Sequence, residues 1–111
     1  MLTIEKLKQF GANADEGLQR CLNNEAFYFK MISRFLGDKT FDKLKANIEE
    51  GNLEEAFKAA HALKGVLGNL SLTPLYDVIF EMTELLRNQT DCDYGEYIKK
   101  YEVLYQDLAS L

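Results

Sequence analysis

The stretch "NLEEAFKAAHALKGVLGNL", Asn52 to Leu70, decides the fold. Leu53, Ala56, Ala60, Leu63, Leu67 and Leu70 recur at alternating steps of three and four, which predicts an amphipathic helix with a bundle-type seam. Asn52 is a good helix-starting residue, and Glu55 stands three places on, in the position of a capping-box partner. Gly65 and Gly68 run against this pattern, because each glycine in a helix interior costs about 0.8 to 1 kcal/mol relative to alanine. On a wheel of about 100° per residue with His61 at zero, the seam residues Ala56, Ala60, Leu63, Leu67 and Leu70 lie between about 180° and 260°. His61 therefore points away from the seam. Gly65 and Gly68 fall within about 40° of it, Phe57 and Lys64 lie on one flank, and Lys58 lies on the other. The two glycines share the histidine's face, so neither packing along the seam nor a break in the helix explains them. Access for another molecule does.

The neighbouring segments read as helices too. Ile4 to Phe10 is a short first helix ending near Gly11. A second stretch starts around Asp15, has a candidate break at Asn23-Asn24, and runs to Leu36 and Gly37. In "DKTFDKLKANIEEG", Phe41, Leu44 and Ile48 share a face, with Gly51 as the stop. Thr73-Pro74 predicts a new helix with threonine as the cap and proline at the first helical position. Its stripe is Leu75, Val78, Ile79, Met82, Leu85 and Leu86, and it fades into "RNQTDCD". A last helix carries Tyr94, Tyr97, Ile98, Tyr101, Leu104, Tyr105, Leu108 and Leu111. The expected fold is all-α: an antiparallel up-down four-helix bundle with a short additional N-terminal helix, residues 1–111 forming a single domain.

Composition narrows the function. The chain is 47% hydrophobic and 12% aromatic, enough for a core of its own. Its 18 acidic and 13 basic residues give a formal charge of −5, which argues against a nucleic-acid binder. "MLTIEKLKQF" mixes charges into its apolar positions, so it reads as neither signal peptide nor membrane anchor, and a cytoplasmic location is expected. Cys21 and Cys92 stand far apart with no paired cysteine or histidine, which indicates reduced thiols rather than a disulfide or a zinc site. Glu81 and Glu84 share a helix but lack the Glu-x-x-His pairs of a di-iron bundle, so no metal is expected.

The constellation around His61 is more specific. Lysines at i−3 and i+3 and glycines at i+4 and i+7 suit the carriage of an anion on the ring. A neutral imidazole nitrogen can act as a nucleophile, and ammonium groups stabilise an attached phosphoryl group. No glycine-rich phosphate loop or nucleotide motif accompanies it.

"AAHALKGVLGNLSL" resembles the H-x-L-K-G signature of histidine-containing phosphotransfer domains, with His61, Leu63, Lys64 and Gly65 in place. The likeness extends upstream through "GLQRCLNNEAFYFKMISRF" and downstream through "LTPLYDVIFEMTELLR", covering nearly the whole chain. The resemblance implies a phosphorelay intermediate. His61 would accept a phosphoryl group from a receiver-domain phospho-aspartate, that of a hybrid sensor histidine kinase included, and pass it to another receiver's aspartate. Lys64 would steady the phosphoryl oxygens and Gly65 would let the receiver close over the imidazole. No cofactor, nucleotide or autokinase activity is implied, because the receiver supplies Mg²⁺. A monomer suffices. Ser71 stands where relatives often have glycine or alanine, and Val66-Leu67 is bulkier than the pair often found there. Both should affect packing more than chemistry. Phe57, Lys58 and Gly68 are candidate docking residues, with packing on a neighbouring helix as the other role open to Phe57. The rival function is a non-catalytic helical adaptor that docks a signalling partner without transferring phosphate. The initiating Met1 and the end at Leu111 lean toward a free-standing chain over a module of a larger sensor.

Overall fold

Each of the predicted apolar rhythms becomes a helix in the structure, a computed structural model that describes every residue from Met1 to Leu111. Seven helices follow in order: α1 (Ile4–Phe10), α2 (Ala14–Arg20), α3 (Glu25–Leu36), α4 (Thr40–Glu49), α5 (Leu53–Asn69), α6 (Thr73–Arg87) and α7 (Gly95–Ala109). There is no strand. The fold is an all-helical bundle of 41 × 23 × 20 Å, in which α4 packs on α5, α5 on α6, and α6 on α7. No helix is long and apolar enough to cross a membrane.

The second stretch breaks beside Asn23-Asn24, where the sequence offered a break. The stretch from Asp15 onward divides into α2 and α3, because Leu22 and Asn23 take left-handed backbone angles, φ 59° and 58°. Asparagine tolerates that region, whereas leucine is strained there. Asn24 then starts α3 afresh by accepting a hydrogen bond from Phe27 N–H at 3.1 Å. Asn13 and Asn52 cap α2 and α5 in the same way, through Glu16 N–H and Glu55 N–H.

Two expected caps are built otherwise. The Glu55 carboxylate turns to Lys58 at 3.1 Å, and the Asn52 N–H donates to Asn47 O, so only half of the capping box forms. The cap of α6 is Leu72, with Thr73 already in the first turn and its hydroxyl donating to Ser71 O. Leu72 can stand there because its side chain is wholly buried in the core.

The core side chains are those of the stripes: Leu63 and Leu67 from α5, Leu75, Ile79, Met82 and Leu86 from α6, Ile32 from α3, Leu44 from α4 and Leu7 from α1. Ala56 and Ala60, both fully buried, are small enough to let neighbouring helices close on α5. Thr83 also lies fully inside, a polar residue the apolar stripe did not foretell. Its hydroxyl is satisfied by Ile79 O at 2.6 Å. The tyrosines tie elements together. Tyr28 on α3 donates to Leu70 O at 2.8 Å, Tyr101 on α7 stacks on Phe41 of α4 at 3.9 Å, and the Tyr105 hydroxyl donates to Leu36 O.

Gly17 is where α2 crosses the ring of Tyr28. A Cβ there would lie 2.5 Å from Tyr28 Cζ, and the ring cannot retreat, being fully buried and held by Leu70 O. Gly17→Ala is expected to lower stability by about 1–3 kcal/mol, read as a drop in the urea midpoint. Alkaline pH should attack the same region. Burial first, and then the charge of Cys21, pushes the Tyr28 hydroxyl from its ordinary 10 up to about 12. A folded-state value above the unfolded one means that the stabilisation is complete below pH 10 and disappears as pH rises through 12. Helical circular dichroism should therefore hold to about pH 10 and fall toward pH 12 as tyrosinate absorbance appears, with a shallower alkaline limb in Tyr28→Phe.

Candidate functional site

His61 sits in the middle of α5, eight residues after Leu53 and eight before Asn69, so its backbone is fixed by turns on both sides. The burial pattern of α5 follows the wheel: Ala56, Ala60, Leu63 and Leu67 are buried, and His61 is exposed on the opposite side. The imidazole is not free to wander. Its ring stacks on Phe57, one turn earlier, with centroids 5.8 Å apart and planes 22° apart. Phe57 is half-buried against the core and carries the Arg87 guanidinium of α6 on its ring, 5.0 Å from the centroid. Phe57 thus meets a neighbouring helix and the histidine at once.

The two lysines behave differently. Lys58 pairs with Glu55 at 3.1 Å in full solvent, and its ammonium is pushed above its ordinary value by that hydrogen bond and by the charges of Glu55 and Glu54. Lys64 reaches the other way, toward α6, and its ammonium lies 5.5 Å from the centroid of the Phe80 ring. Phe80 is 43% exposed and packs beside Tyr76, with centroids 6.0 Å apart. A cation over an exposed ring gains about 0.5–1 kcal/mol, so Lys64 is held lightly.

The glycines also differ from each other. A Cβ added at Gly65 would meet nothing within 4 Å, so the space one turn beyond His61 is open. A Cβ at Gly68 would touch the Tyr76 ring at 3.4 Å. Gly68 is therefore partly covered by a neighbouring helix, and only Gly65 is clear of one. Beside this strip runs a groove of ≈ 540 Å³, lined by Lys64, Gly65 and Gly68 together with Tyr76 and Asp77 of α6 and Glu16 and Arg20 of α2.

Ser71 ends α5 in the left-handed region, φ 54°, a conformation that glycine adopts without strain. It compensates through bonds. Its carbonyl accepts from Asn13 N–H at 3.0 Å and its hydroxyl donates to Glu16 Oε1 at 3.2 Å. The serine thus serves packing at the end of the bundle. Val66 is 38% exposed, away from the histidine face.

Phe80, Arg87 and Arg20 belong to this surface and escaped the reading of the sequence. A signal for the first two was present: Tyr76, Phe80 and Arg87 share a face of α6 about 100–140° from the leucine stripe, and an aromatic residue out of phase with its own stripe marks a second contact surface. Arg20 had no such signal, since α2 is brought to the end of α5 by the bonds of Asn13 and Glu16 to Ser71, which no local pattern encodes. No group of three or more His, Cys, Asp and Glu side chains is placed to hold a metal ion. Cys21 is buried and Cys92 exposed, both as free thiols. Glu84 pairs with Arg87 at 3.5 Å.

No curated protein and no solved structure matches the chain. The family model described as the Hpt domain matches residues 35–109, which takes in α4 to α7 and the whole histidine face. The chain belongs to the Hpt domain family, the phosphotransfer domains of two-component phosphorelays that interact with receiver domains.

Proposed function

We propose that His61 is the phosphoacceptor of a phosphorelay, loaded by the phospho-aspartate of one receiver domain, that of a hybrid sensor kinase included, and discharged to the aspartate of another. The observation that carries this reading is an exposed imidazole held by Phe57 at mid-helix, with nothing within 4 Å of the missing Gly65 side chain. An in-line attack needs that clearance, because the phosphorus of the acyl phosphate must come within about 3–3.5 Å of the ring nitrogen, with the donor aspartate behind it.

In the forward step a neutral ring nitrogen of His61 attacks the phosphorus of the acyl phosphate. The N–P bond forms, the P–O bond to the aspartate breaks, and the aspartate leaves as carboxylate. The product is a phosphoramidate on the imidazole, and the second transfer reverses the sequence onto a new carboxylate. Mg²⁺ is the receiver's contribution. Lys64 supports the charge from this side of the interface. Its contact with Phe80 is worth about 0.5–1 kcal/mol, while a hydrogen bond to a charged group contributes about 1.5–3 kcal/mol, so the ammonium moves to the phosphoryl oxygens once they arrive. Phe57 limits the rotamers of the ring, and Lys58 and Gly68 border the docking surface.

Mixing the chain with a phosphorylated receiver should put acid-labile, base-stable label on it. His61→Gln should abolish the label and leave the unfolding free energy within about 0.5 kcal/mol, since the side chain is exposed. Transfer persisting in that variant, or no label with any receiver, would sink the reading. Gly65 supplies a second check. Gly65→Ala should leave stability unchanged or raise it by up to about 1 kcal/mol. Gly65→Arg should fold equally well yet slow receiver-dependent transfer by roughly 10²-fold, the scale set by misplacing reacting groups.

A further inference from the structure

The groove beside Gly65 and Gly68, which starts one turn beyond His61, is not built by the matched family region alone. Asn13, Glu16 and Arg20 line it along with Lys64, Gly65 and Gly68, and all three precede residue 35, where the family match begins. We infer that α2 is a specificity element of the receiver interface, with Arg20 and Glu16 reading the charge pattern of the docking receiver domain; this rests on the relay function proposed for His61.

Three observations carry it. First, α2 is fixed to the end of the histidine helix. Asn13 N–H donates to Ser71 O at 3.0 Å, and the Ser71 hydroxyl donates to Glu16 Oε1 at 3.2 Å, so α2 holds one position relative to Gly65 and Gly68. Second, the distance is right. Ser71 follows His61 by ten residues, about 15 Å along a helix at about 1.5 Å per residue. A standard interface covers about 800 Å² on each partner, a disc roughly 30 Å across. A receiver centred on His61 therefore reaches α2.

Third, Arg20 has little structural work. Arg20 pairs with Glu16 at 3.1 Å, but both side chains are about half exposed, and such pairs contribute little to stability. They are well placed to select a partner, because exposed charges at an interface govern association and discriminate against mismatched surfaces. The Arg20 guanidinium bonds Glu16 through Nε and retains further N–H donors for a carboxylate on the receiver. Across the groove, Lys64 and Asp77 repeat the mixed pattern. The favoured receiver presents a carboxylate opposite Arg20 and a donor or cation opposite Glu16 and Asp77.

The test uses the full chain and at least two purified receiver domains from the same cell, each phosphorylated beforehand. Transfer to His61 is measured as kcat/KM for each receiver. Arg20→Glu is expected to change the ratio of the two kcat/KM values by tenfold or more, mainly through KM. A uniform loss would not move that ratio. In parallel, isotope-labelled chain is titrated with unlabelled receiver, and amide signals of Asn13 to Arg20 should shift together with those of Lys64 to Gly68. Wild-type transfer with an unmoved ratio in the variant, or shifts confined to α5 and α6, would overturn the role of α2 and leave the relay standing. Failure of the wild-type chain to take label from any receiver would remove both.

Discussion

The structure depends on one helix having two faces of opposite duty. Along α5, Ala56, Ala60, Leu63 and Leu67 are buried, Ala56, Ala60 and Leu67 completely. Each buried methylene contributes about 0.8 kcal/mol, and these side chains bind α5 between α4 and α6. Packing at that density fixes the rotation of the helix about its own axis. The outward direction of His61 follows from it: with about 100° per residue, a residue opposite the seam cannot turn inward unless the seam turns out. The stability of the bundle and the exposure of the imidazole are thus the same constraint seen from two sides.

The neighbouring helices refine what α5 begins. Arg87 and Phe80 of α6 each hold a residue of the histidine face, Arg87 through the Phe57 ring and Phe80 through the Lys64 ammonium. Both contacts are cation–π, with no hydrogen bond to break. They hold an aromatic clamp and a mobile charge in place at about 0.5–1 kcal/mol each, strong enough to bias rotamers and weak enough to yield to a phosphoryl group. A salt bridge to Lys64 would compete with the anion it is proposed to meet. An aromatic face competes far less.

Much of this was readable in the sequence because amphipathic helices announce themselves. The α5 seam, the α6 stripe and the positions of Gly11 and Gly51, which take φ 108° and 75° at helix ends, all follow from spacing and residue type. What stayed hidden depends on tertiary partners. Leu22 in a left-handed conformation has no local cause visible in its own side chain, which is 88% exposed; it serves the turn that redirects the chain into α3. The Glu55 carboxylate had two possible partners, the Asn52 N–H and Lys58, and the Asn52 N–H was already taken by Asn47 O. The bond from Ser71 to Glu16 spans 55 positions and no local pattern encodes it.

The helical glycines separate structural from functional reasons within one molecule. Gly17, Gly65 and Gly68 each stand inside a helix and each carry a propensity cost of about 0.8–1 kcal/mol. At Gly17 the cost is offset by packing, because a Cβ would drive into the buried Tyr28 ring. At Gly68 a Cβ would rest in ordinary contact with Tyr76, so alanine would fit and the reason is at most partly steric. At Gly65 no atom of the chain stands within 4 Å of the place a Cβ would occupy, and the backbone lies in regular α5 geometry with no left-handed angle to favour glycine. Neither packing nor conformation offsets the cost there. The relay proposed for His61 supplies a cause from outside the chain: a receiver that needs the space one turn beyond the imidazole.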